Sequence, residues 1–291
     1  MSVEQYQKIS IACSNDIMEA FSNFLLERNT GGLVVDDGRL NGHTVLTAYL
    51  PLQKGSSFTT EEVELFFGQV RSYFPGSDYK LIALENIEAE DWQAGWEKSF
   101  VPIHITEKIV VRPTWASCQI QPGEIEIVID PKMAFGTGHH ETTAQCLMAI
   151  EKLGVENKSV FDYGCGSGIL AIAAYKMGAP KVIACDIDPE AIDCARENFA
   201  LNDVDIELIE SGNFIAEYPC DIIAANLSIN QIIAACDNLD KSLKSNGRII
   251  YSGIPYSDKQ RFLDFIDGIP YNIIDEIAGD EWISYIGMKK I

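Results

Sequence analysis

The chain has 291 residues, of which 47% are apolar and 22% charged, and its formal net charge is −21. This balance is that of folded globular proteins and excludes a largely disordered chain, and the length suits two domains. Because a strongly negative field repels nucleic acid phosphates and attracts basic partners, we expect a basic partner and no direct binding of nucleic acid.

The N-terminus and the cysteines indicate where the protein works. Residues 1–10 are polar and lack the basic and then apolar layout of a signal peptide, and no apolar run reaches the ~18–20 residues that cross a bilayer. The eight cysteines are scattered and form no C-x-x-C pair, which is typical of reduced, buried thiols rather than of a disulfide framework or a zinc site. We therefore expect a cytoplasmic protein with no membrane partner and no metal.

The first 85 residues predict a small α+β domain. Alternating apolar residues indicate strands, and apolar spacings of three and four indicate helices. The predicted order is strand 6–12, helix 16–28, strand 33–35, a turn at 38–42, strand 44–50, helix 60–73 and strand 79–84. This β-α-β-β-α-β order is that of a split βαβ, or ferredoxin-like, sandwich.

A connecting segment follows, with Trp92, Trp96 and Phe100 spaced four residues apart. This spacing places the three rings on one face of a helix, and we interpret residues 86–102 as a linker helix. The simpler role for this stripe is packing against a neighbouring domain, and direct contact with a substrate is the alternative.

Residues 103–291 predict a second domain of the α/β class. Early strands lie at 109–111 and 124–130. Further strands follow at 159–163, 181–186, 206–210, 221–226 and 247–253, with helices between them, for example at 168–177 and 189–201. This alternation predicts a doubly wound, Rossmann-like parallel sheet. Strands at 271–277 and 282–289 are expected to add an antiparallel pair at one edge, which makes the sheet seven-stranded.

A glycine-rich loop carries the strongest functional signal. It reads Asp162-Tyr163-Gly164-Cys165-Gly166-Ser167-Gly168 and lies between a predicted strand and a predicted helix, where ligand-binding glycine loops occur. A dinucleotide fingerprint would read G-x-G-x-x-G and aim the helix at a pyrophosphate. S-adenosylmethionine (SAM) has no phosphate but carries a cationic sulfonium, which suits an acid at the loop. We interpret Asp162, Gly164 and Gly166 as SAM-binding residues; a purely structural glycine turn is the alternative.

Asp186 ends the next predicted strand, about 20 residues after the loop, where an acid accepts hydrogen bonds from ribose hydroxyls. Asp188 and Pro189 then suit the N-cap and the first position of a helix. Asp188 thus has a structural explanation, and Asp186 is the predicted ribose ligand.

Asn226 lies at the end of a later strand, in the sequence Ala224-Ala225-Asn226-Leu227-Ser228. Ligands of open α/β sheets sit outside the carboxyl ends of the strands, near the point where the strand order reverses. Asn226 is therefore expected to face the reacting groups. Because asparagine is also a favoured helix cap, a capping role remains the alternative.

The segment from Asp130 to Thr143 contains small and polar residues before an apolar helix that begins near Thr142. Its two histidines, His139 and His140, could suggest a metal site. Adjacent histidines rarely aim at one ion, and no third ligand has a suitable spacing. We interpret the segment as a capped loop.

These segments together resemble the PrmA family, the methyltransferases of large-subunit ribosomal protein eleven. The resemblance rests on residues 133–143, on the glycine loop with the Ile-Leu-Ala-Ile-Ala run after it, on the Asp-Ile-Asp-Pro sequence at 186–189 and on the tryptophan-containing segments 91–102 and 111–115. It covers the chain well from about Asp91 onward. The N-terminal unit matches by architecture more than by sequence.

The resemblance implies a seven-stranded SAM-dependent methyltransferase domain preceded by a ferredoxin-like substrate-recognition domain. It implies methyl transfer to lysine side-chain amines and to the N-terminal amine of that ribosomal protein, free or before its assembly. Residue by residue, it implies cofactor contacts by Thr143, Gly164, Asp186 and Asn226, with Phe135, Gly136 and Thr137 closing over the cofactor. The chain departs from many members at His139–Glu141 and at Leu227–Gln231, which concerns the lining on the acceptor side.

Methyl transfer from a sulfonium requires an acceptor with a free lone pair. Lysine has an ordinary pKa near ~10.4, which an apolar pocket beside a cation lowers. We expect the Asn226 side-chain oxygen and the Leu227 carbonyl to orient the neutral amine, without a general base. The alternatives are a SAM-dependent N-methyltransferase for another protein or a small molecule, a nucleic acid methyltransferase, a nicotinamide oxidoreductase and a SAM-fold protein without activity.

Overall fold

The chain folds into two compact units, residues 1–99 and residues 100–291. The computed structural model describes residues 5–26, 28, 33–40, 43–52, 57–88, 100–130, 138 and 140–290. No helix within these ranges is long and apolar enough to cross a membrane.

The first unit is a four-stranded antiparallel sheet with two helices. Its elements are β1 (Gln5–Cys13), α1 (Met18–Leu26), β2 (Leu33–Leu40), β3 (His43–Pro51), α2 (Thr60–Tyr73) and β4 (Tyr79–Glu88), with one 3-10 turn (Asn15–Ile17) before α1. The sheet order is β2-β3-β1-β4, and each neighbouring pair is antiparallel. This connectivity is that of a split βαβ sandwich.

This unit has a hydrophobic core of its own. Ile9 and Ile11 of β1 are fully buried together with Phe21 of α1 and Val63 of α2. The Phe21 ring also meets the Phe66 ring edge to face, with centroids 5.3 Å apart. Burial of each large apolar side chain contributes about 1.5–3 kcal/mol before the entropy cost of folding.

Two strands of the first unit are longer than the sequence pattern predicted. β2 continues to Leu40, so the first part of the predicted turn at 38–42 is strand. β4 continues to Glu88, so residues 86–88 are strand and not the start of the linker helix. The reason is pairing: β4 follows β1 along its whole length, as far as the Gln5–Glu88 pair. Of the rest of the predicted linker helix, residues 89–99 lie outside the described residues, and residues 100–102 form no helix.

The second unit contains the predicted α/β domain. Its elements are β5 (Ile103–His104), β6 (Ile109–Pro113), β7 (Ile125–Ile129), α3 (Glu141–Leu153), β8 (Ser159–Tyr163), α4 (Ile169–Lys176), β9 (Lys181–Asp186), α5 (Pro189–Leu201), β10 (Glu207–Glu210), β11 (Cys220–Asn226), α6 (Ile229–Ser242), β12 (Leu243–Pro255), α7 (Lys259–Asp267), β13 (Tyr271–Ala278) and β14 (Trp282–Lys289). A seven-stranded sheet has the order β10-β9-β8-β11-β12-β14-β13, and β5, β6 and β7 form a separate three-stranded sheet. The Rossmann-like fold class is confirmed.

Helices cover both faces of the seven-stranded sheet. Buried side chains of α3, α4 and α5 join one apolar cluster, and those of α6 and α7 join the other. The strands from β10 to β12 are parallel, and β14 inserts antiparallel between β12 and β13. The strand order reverses between β8 and β11, so the carboxyl ends of these two strands open a crevice.

Candidate active site

A cavity of about 520 Å³ lies at this crevice, which is the size of a typical small-molecule site. Most of the predicted site residues line it, namely Thr143, Gly164, Gly166, Asp186, Asn226 and Leu227. Phe135, Gly136 and Thr137 lie outside the described residues. Asp162 is not among the lining residues.

The glycine loop turns sharply at the end of β8. The amides of Gly164 and Cys165 both donate to the Cys185 carbonyl of β9, at 2.8 and 2.9 Å. Gly164 has φ +76°, and a Cβ there would lie 2.5 Å from Leu227 Cδ2. A larger residue would therefore be strained and would also meet the wall formed by Leu227.

Asp186 joins the loop to the end of β9. Its Oδ2 accepts from the Gly166 amide at 2.8 Å, and its Oδ1 accepts from the Asp188 amide at 3.1 Å. A carboxylate oxygen has a second lone pair, so both oxygens can still accept from a ligand hydroxyl. Asp188 is the N-cap of α5, because its Oδ1 accepts from the Glu190 amide.

Replacing Asp186 with alanine is expected to weaken SAM binding at least tenfold. Hydrogen bonds to a charged group contribute roughly 1.5–3 kcal/mol, and ~1.4 kcal/mol is a factor of ten. Titration calorimetry measures the affinity. The matched control is Asp188→Ala, which should cost about 1 kcal/mol of stability and leave the affinity close to that of the wild type. Equal affinities for both variants and the wild type would remove Asp186 from the cofactor site.

Asp162 lies beneath the loop and is only 1% exposed. Its Oδ2 accepts from the Ala171 amide in the first turn of α4 at 3.1 Å, and its Oδ1 has no hydrogen-bond partner among the described residues. Burial raises the pKa of Asp162 to about 7, and the nearby charge of Asp186 acts in the same direction. The predicted direct contact with the cofactor is therefore not supported by the cavity lining, and the visible role of Asp162 is to hold the start of α4.

Thr143 gives the cavity an unsatisfied polar group. It is 1% exposed, and its hydroxyl has no hydrogen-bond partner within the described parts of the chain. Buried hydroxyls are nearly always hydrogen-bonded, so a ligand group is the natural partner. The start of α3, just before Thr143, is held by the N-cap residue His140, whose Nδ1 accepts from the Thr142 amide.

Asn226 ends β11 and does not cap the next helix. The N-cap of α6 is Ser228, which forms a capping box with Gln231. The described residues offer the Asn226 side chain no hydrogen bond, although it lines the cavity. The capping alternative is therefore wrong, and the side chain is available to a ligand.

The Leu227 backbone is held by the end of β12. Its amide donates to the Ser252 carbonyl at 3.1 Å, and a Cβ on Gly253 would lie 2.5 Å from the Leu227 carbonyl oxygen. Gly253 has φ +80°, which also favours glycine. This close approach fixes the direction of the Leu227 peptide.

Several residues of the cavity wall could not be predicted from the sequence pattern. Trp282 and His140 line it together, with ring centroids 5.3 Å apart and ring planes at 66° to each other. Trp282 begins β14 and pairs with Pro255 of β12. The only signal for Gly253 was a glycine near the end of a predicted strand.

A buried chain of hydrogen bonds supports this wall. The Ser284 hydroxyl donates to Gln145 Oε1 and also lies 2.6 Å from the Ser252 hydroxyl. The Gln145 amide donates to the Trp282 carbonyl, and the Ser252 hydroxyl donates to the Thr142 carbonyl. The start of α3 is thus tied to β12 and β14.

The donor set fits SAM. Asp186 can accept from ribose hydroxyls, the Thr143 hydroxyl can bond the amino-acid head, and the lining includes the apolar side chains of Ile169 and Leu170. A seven-stranded sheet of this order, with a G-x-G-x-G loop after one central strand and an acid after the next, defines a SAM-dependent methyltransferase.

Comparison with known proteins narrows the class. The family model described as ribosomal protein L11 methyltransferase (PrmA) matches residues 5–290, and the chain belongs to that family. The ribosomal protein L11 methyltransferase of Clostridium botulinum (strain Eklund 17B) is 36% identical, over 92% of this chain and 88% of the relative. That of Anoxybacillus flavithermus is 31% identical, over 98% of this chain and 100% of the relative.

A solved structure agrees with this assignment. The crystal structure of a ribosomal protein L11 methylase from Lactobacillus delbrueckii subsp. bulgaricus is 32% identical, with a TM-score of 0.62. The match covers 66% of this chain and 100% of that one. The family resemblance seen in the sequence motifs is confirmed.

Proposed function

We propose that this protein transfers methyl groups from SAM to amino groups of ribosomal protein L11, on lysine side chains and at the N-terminus. The observation that carries the chemistry is the unengaged Asn226 side chain at the cavity wall, beside the fixed Leu227 peptide. Membership of the family supports the substrate, because the relatives are named for L11. The acidic chain, at −21, suits a basic substrate protein.

When bound, SAM supplies an electrophilic methyl group on a cationic sulfonium. The acceptor amine must arrive neutral, and the apolar surroundings of Leu227 and Trp282 disfavour its charged form. The Asn226 carboxamide oxygen and the Leu227 carbonyl can each accept one N–H of the amine and point its lone pair along the line of transfer. Proximity and orientation then provide most of the acceleration.

We also propose that the first unit recognises the substrate protein, and that the second binds the cofactor and performs the chemistry. The first unit has its own core, and the described cavity that holds the predicted cofactor residues belongs to the second. We further propose that L11 is methylated in the cytoplasm, free or before assembly, without a direct contact of the enzyme with nucleic acid.

The direct test uses SAM with a labelled methyl group. The enzyme is incubated with total ribosomal proteins, and the label is located by mass spectrometry. Label on lysine and N-terminal amines of L11 supports the proposal. Label on another protein, or only on small molecules, would favour the alternative that the enzyme is an N-methyltransferase for a different acceptor.

Methylation of L11 is expected to slow as salt rises. Attraction between opposite charges speeds encounter, and it is screened over ~10 Å at about 0.1 M salt. The ratio kcat/KM for L11 should therefore fall several-fold between about 50 mM and about 300 mM salt, while the SAM affinity changes little. A ratio that does not change with salt would assign the acidic charge to solubility alone.

A further inference from the structure

Two asparagines, Asn198 on α5 and Asn202 at its C-cap, are buried and hydrogen-bonded to other parts of the second unit. Asn198 is 0% exposed and Asn202 is 7% exposed. They are four residues apart, so the side chain at the C-cap lies on the same side as that of Asn198. A buried carboxamide must satisfy both its oxygen and its nitrogen, so its partners reveal what it holds together.

Asn198 connects the glycine loop to the end of β7. Its Nδ2 donates to the Ser167 carbonyl at 2.9 Å, and its Oδ1 accepts from the Asp130 amide at 3.0 Å. A carbonyl can only accept and an amide can only donate, so these two partners determine the orientation of the side chain. Ser167 stands directly after Gly166, whose amide donates to Asp186.

Asn202 makes bonds of the same kind but does not touch the loop. Its Oδ1 accepts from the Val128 amide and from Lys176 Nζ, at 2.9 and 2.8 Å. Its Nδ2 donates to the carbonyls of Val128 and Asn198, at 2.6 and 2.8 Å. It joins α5 to β7 and α4, and so stabilises the fold without bearing on the cavity.

The packing of α5 against the loop is close at Gly168, the residue after Ser167. A Cβ added at Gly168 would lie 2.5 Å from the Phe199 ring and 3.3 Å from Ala195 Cβ. The first half of the loop is held by the Cys185 carbonyl of β9. The second half is held from α5 by Asn198, whose side chain donates a hydrogen bond to the Ser167 carbonyl.

We propose that Asn198 is a positioning residue for SAM binding, which sets the second half of the glycine loop so that Gly166 and Asp186 present their cofactor-binding geometry. Without the Asn198 side chain, the buried Ser167 carbonyl loses this hydrogen bond, which favours rotation of the loop toward another donor. The Ser167 carbonyl shares its peptide with the Gly168 amide, which donates to the Cys165 carbonyl at 2.8 Å. The Cys165 carbonyl in turn shares its peptide with the Gly166 amide, so rotation at the Ser167 carbonyl moves the Gly166 amide and, through it, the Asp186 carboxylate. Asn202 is also buried and makes a similar number of hydrogen bonds, but it has no link to the glycine loop.

The test compares Asn198→Ala with Asn202→Ala. Titration calorimetry at a temperature where both variants are folded measures the SAM dissociation constant, and thermal melting without SAM measures stability. Asn198→Ala should raise the dissociation constant about fivefold or more, the factor set by one net hydrogen bond. Asn202→Ala should lower the melting temperature at least as much, yet keep the constant within about twofold. In steady-state assays, the KM for SAM should rise in Asn198→Ala while kcat at saturating SAM stays within about threefold.

A second pair, Asn198→Ser and Asn202→Ser, is used if an alanine variant does not fold. The proposal is overturned if the two positions change the affinity equally, if Asn198 variants bind SAM as tightly as the wild type, or if no variant at 198 folds. It rests on the proposed placement of SAM in the cavity, and Asp186→Ala separates the two. Unchanged affinity in both Asp186→Ala and Asn198→Ala would refute the placement, whereas unchanged affinity in Asn198→Ala alone refutes only the role of Asn198.

Discussion

Replacing Asn226 with alanine is expected to lower the single-turnover rate of L11 methylation by roughly 10²-fold, because a small misplacement of the reacting groups costs about that factor. The side chain lines the cavity and is not engaged by the described residues. Its proposed role is to orient the acceptor amine, and this orientation is required in the transition state. The SAM affinity should change by less than about threefold, because Asp186 and Thr143 remain. Rapid-quench kinetics with preformed enzyme–SAM complex separates the chemical step from binding.

The chain supplies a matched control two residues away. Ser228 caps α6 and forms a capping box with Gln231. Ser228→Ala should cost about 1 kcal/mol of stability and leave the methylation rate within about twofold. If Asn226→Ala behaves like this control, its carboxamide does not orient the acceptor, and the Leu227 carbonyl becomes the remaining candidate.

Much of the catalytic fold could be predicted because its strands and helices alternate with distinct periods. The central strands over 159–163 and 181–186 and the helix over 189–201 agree with the structure. The ends of strands were harder to predict, as β2 and β4 show. Their last residues are mostly polar, and they become strand because a neighbouring strand supplies hydrogen bonds, which the local pattern does not report.

The candidate site, like the fold, could be predicted from the sequence only in part. Asp186 and Asn226 could be placed because each ends a parallel strand, and such ends share one edge of the sheet. Asp162 looked equally suitable, yet its side chain follows the alternation of β8 and points to the same face as Val160, under α4. Trp282 could not be placed, because its position depends on the insertion of β14 between β12 and β13.

Removing residues 1–88 is expected to abolish methylation of intact L11, with a fall of at least about 10²-fold in kcat/KM, and to keep the SAM affinity within about threefold. Binding energy from parts of the substrate remote from the reacting amine is used to orient that amine, so its loss lowers the rate as well as the affinity. A flexible lysine side chain makes few specific contacts by itself. The removed residues contain a complete core around Phe21, and none of the residues that line the cavity.

The truncated protein is compared with the full chain by calorimetry with SAM and by methylation of L11 and of a free alkylamine at high concentration. Slow methylation of the free amine by both proteins at similar rates would show that the chemical step survives. Full activity of the truncated protein on L11 would refute the recognition role. Loss of folding would indicate that the first unit stabilises the second. If the truncated protein does not fold, the test is made on the full chain, with Leu65 and Tyr73 of α2 both changed to serine. Their side chains are 67% and 82% exposed, so these substitutions do not disturb the core. Wild-type kcat/KM on L11 in that variant would show that this surface of α2 does not bind the substrate.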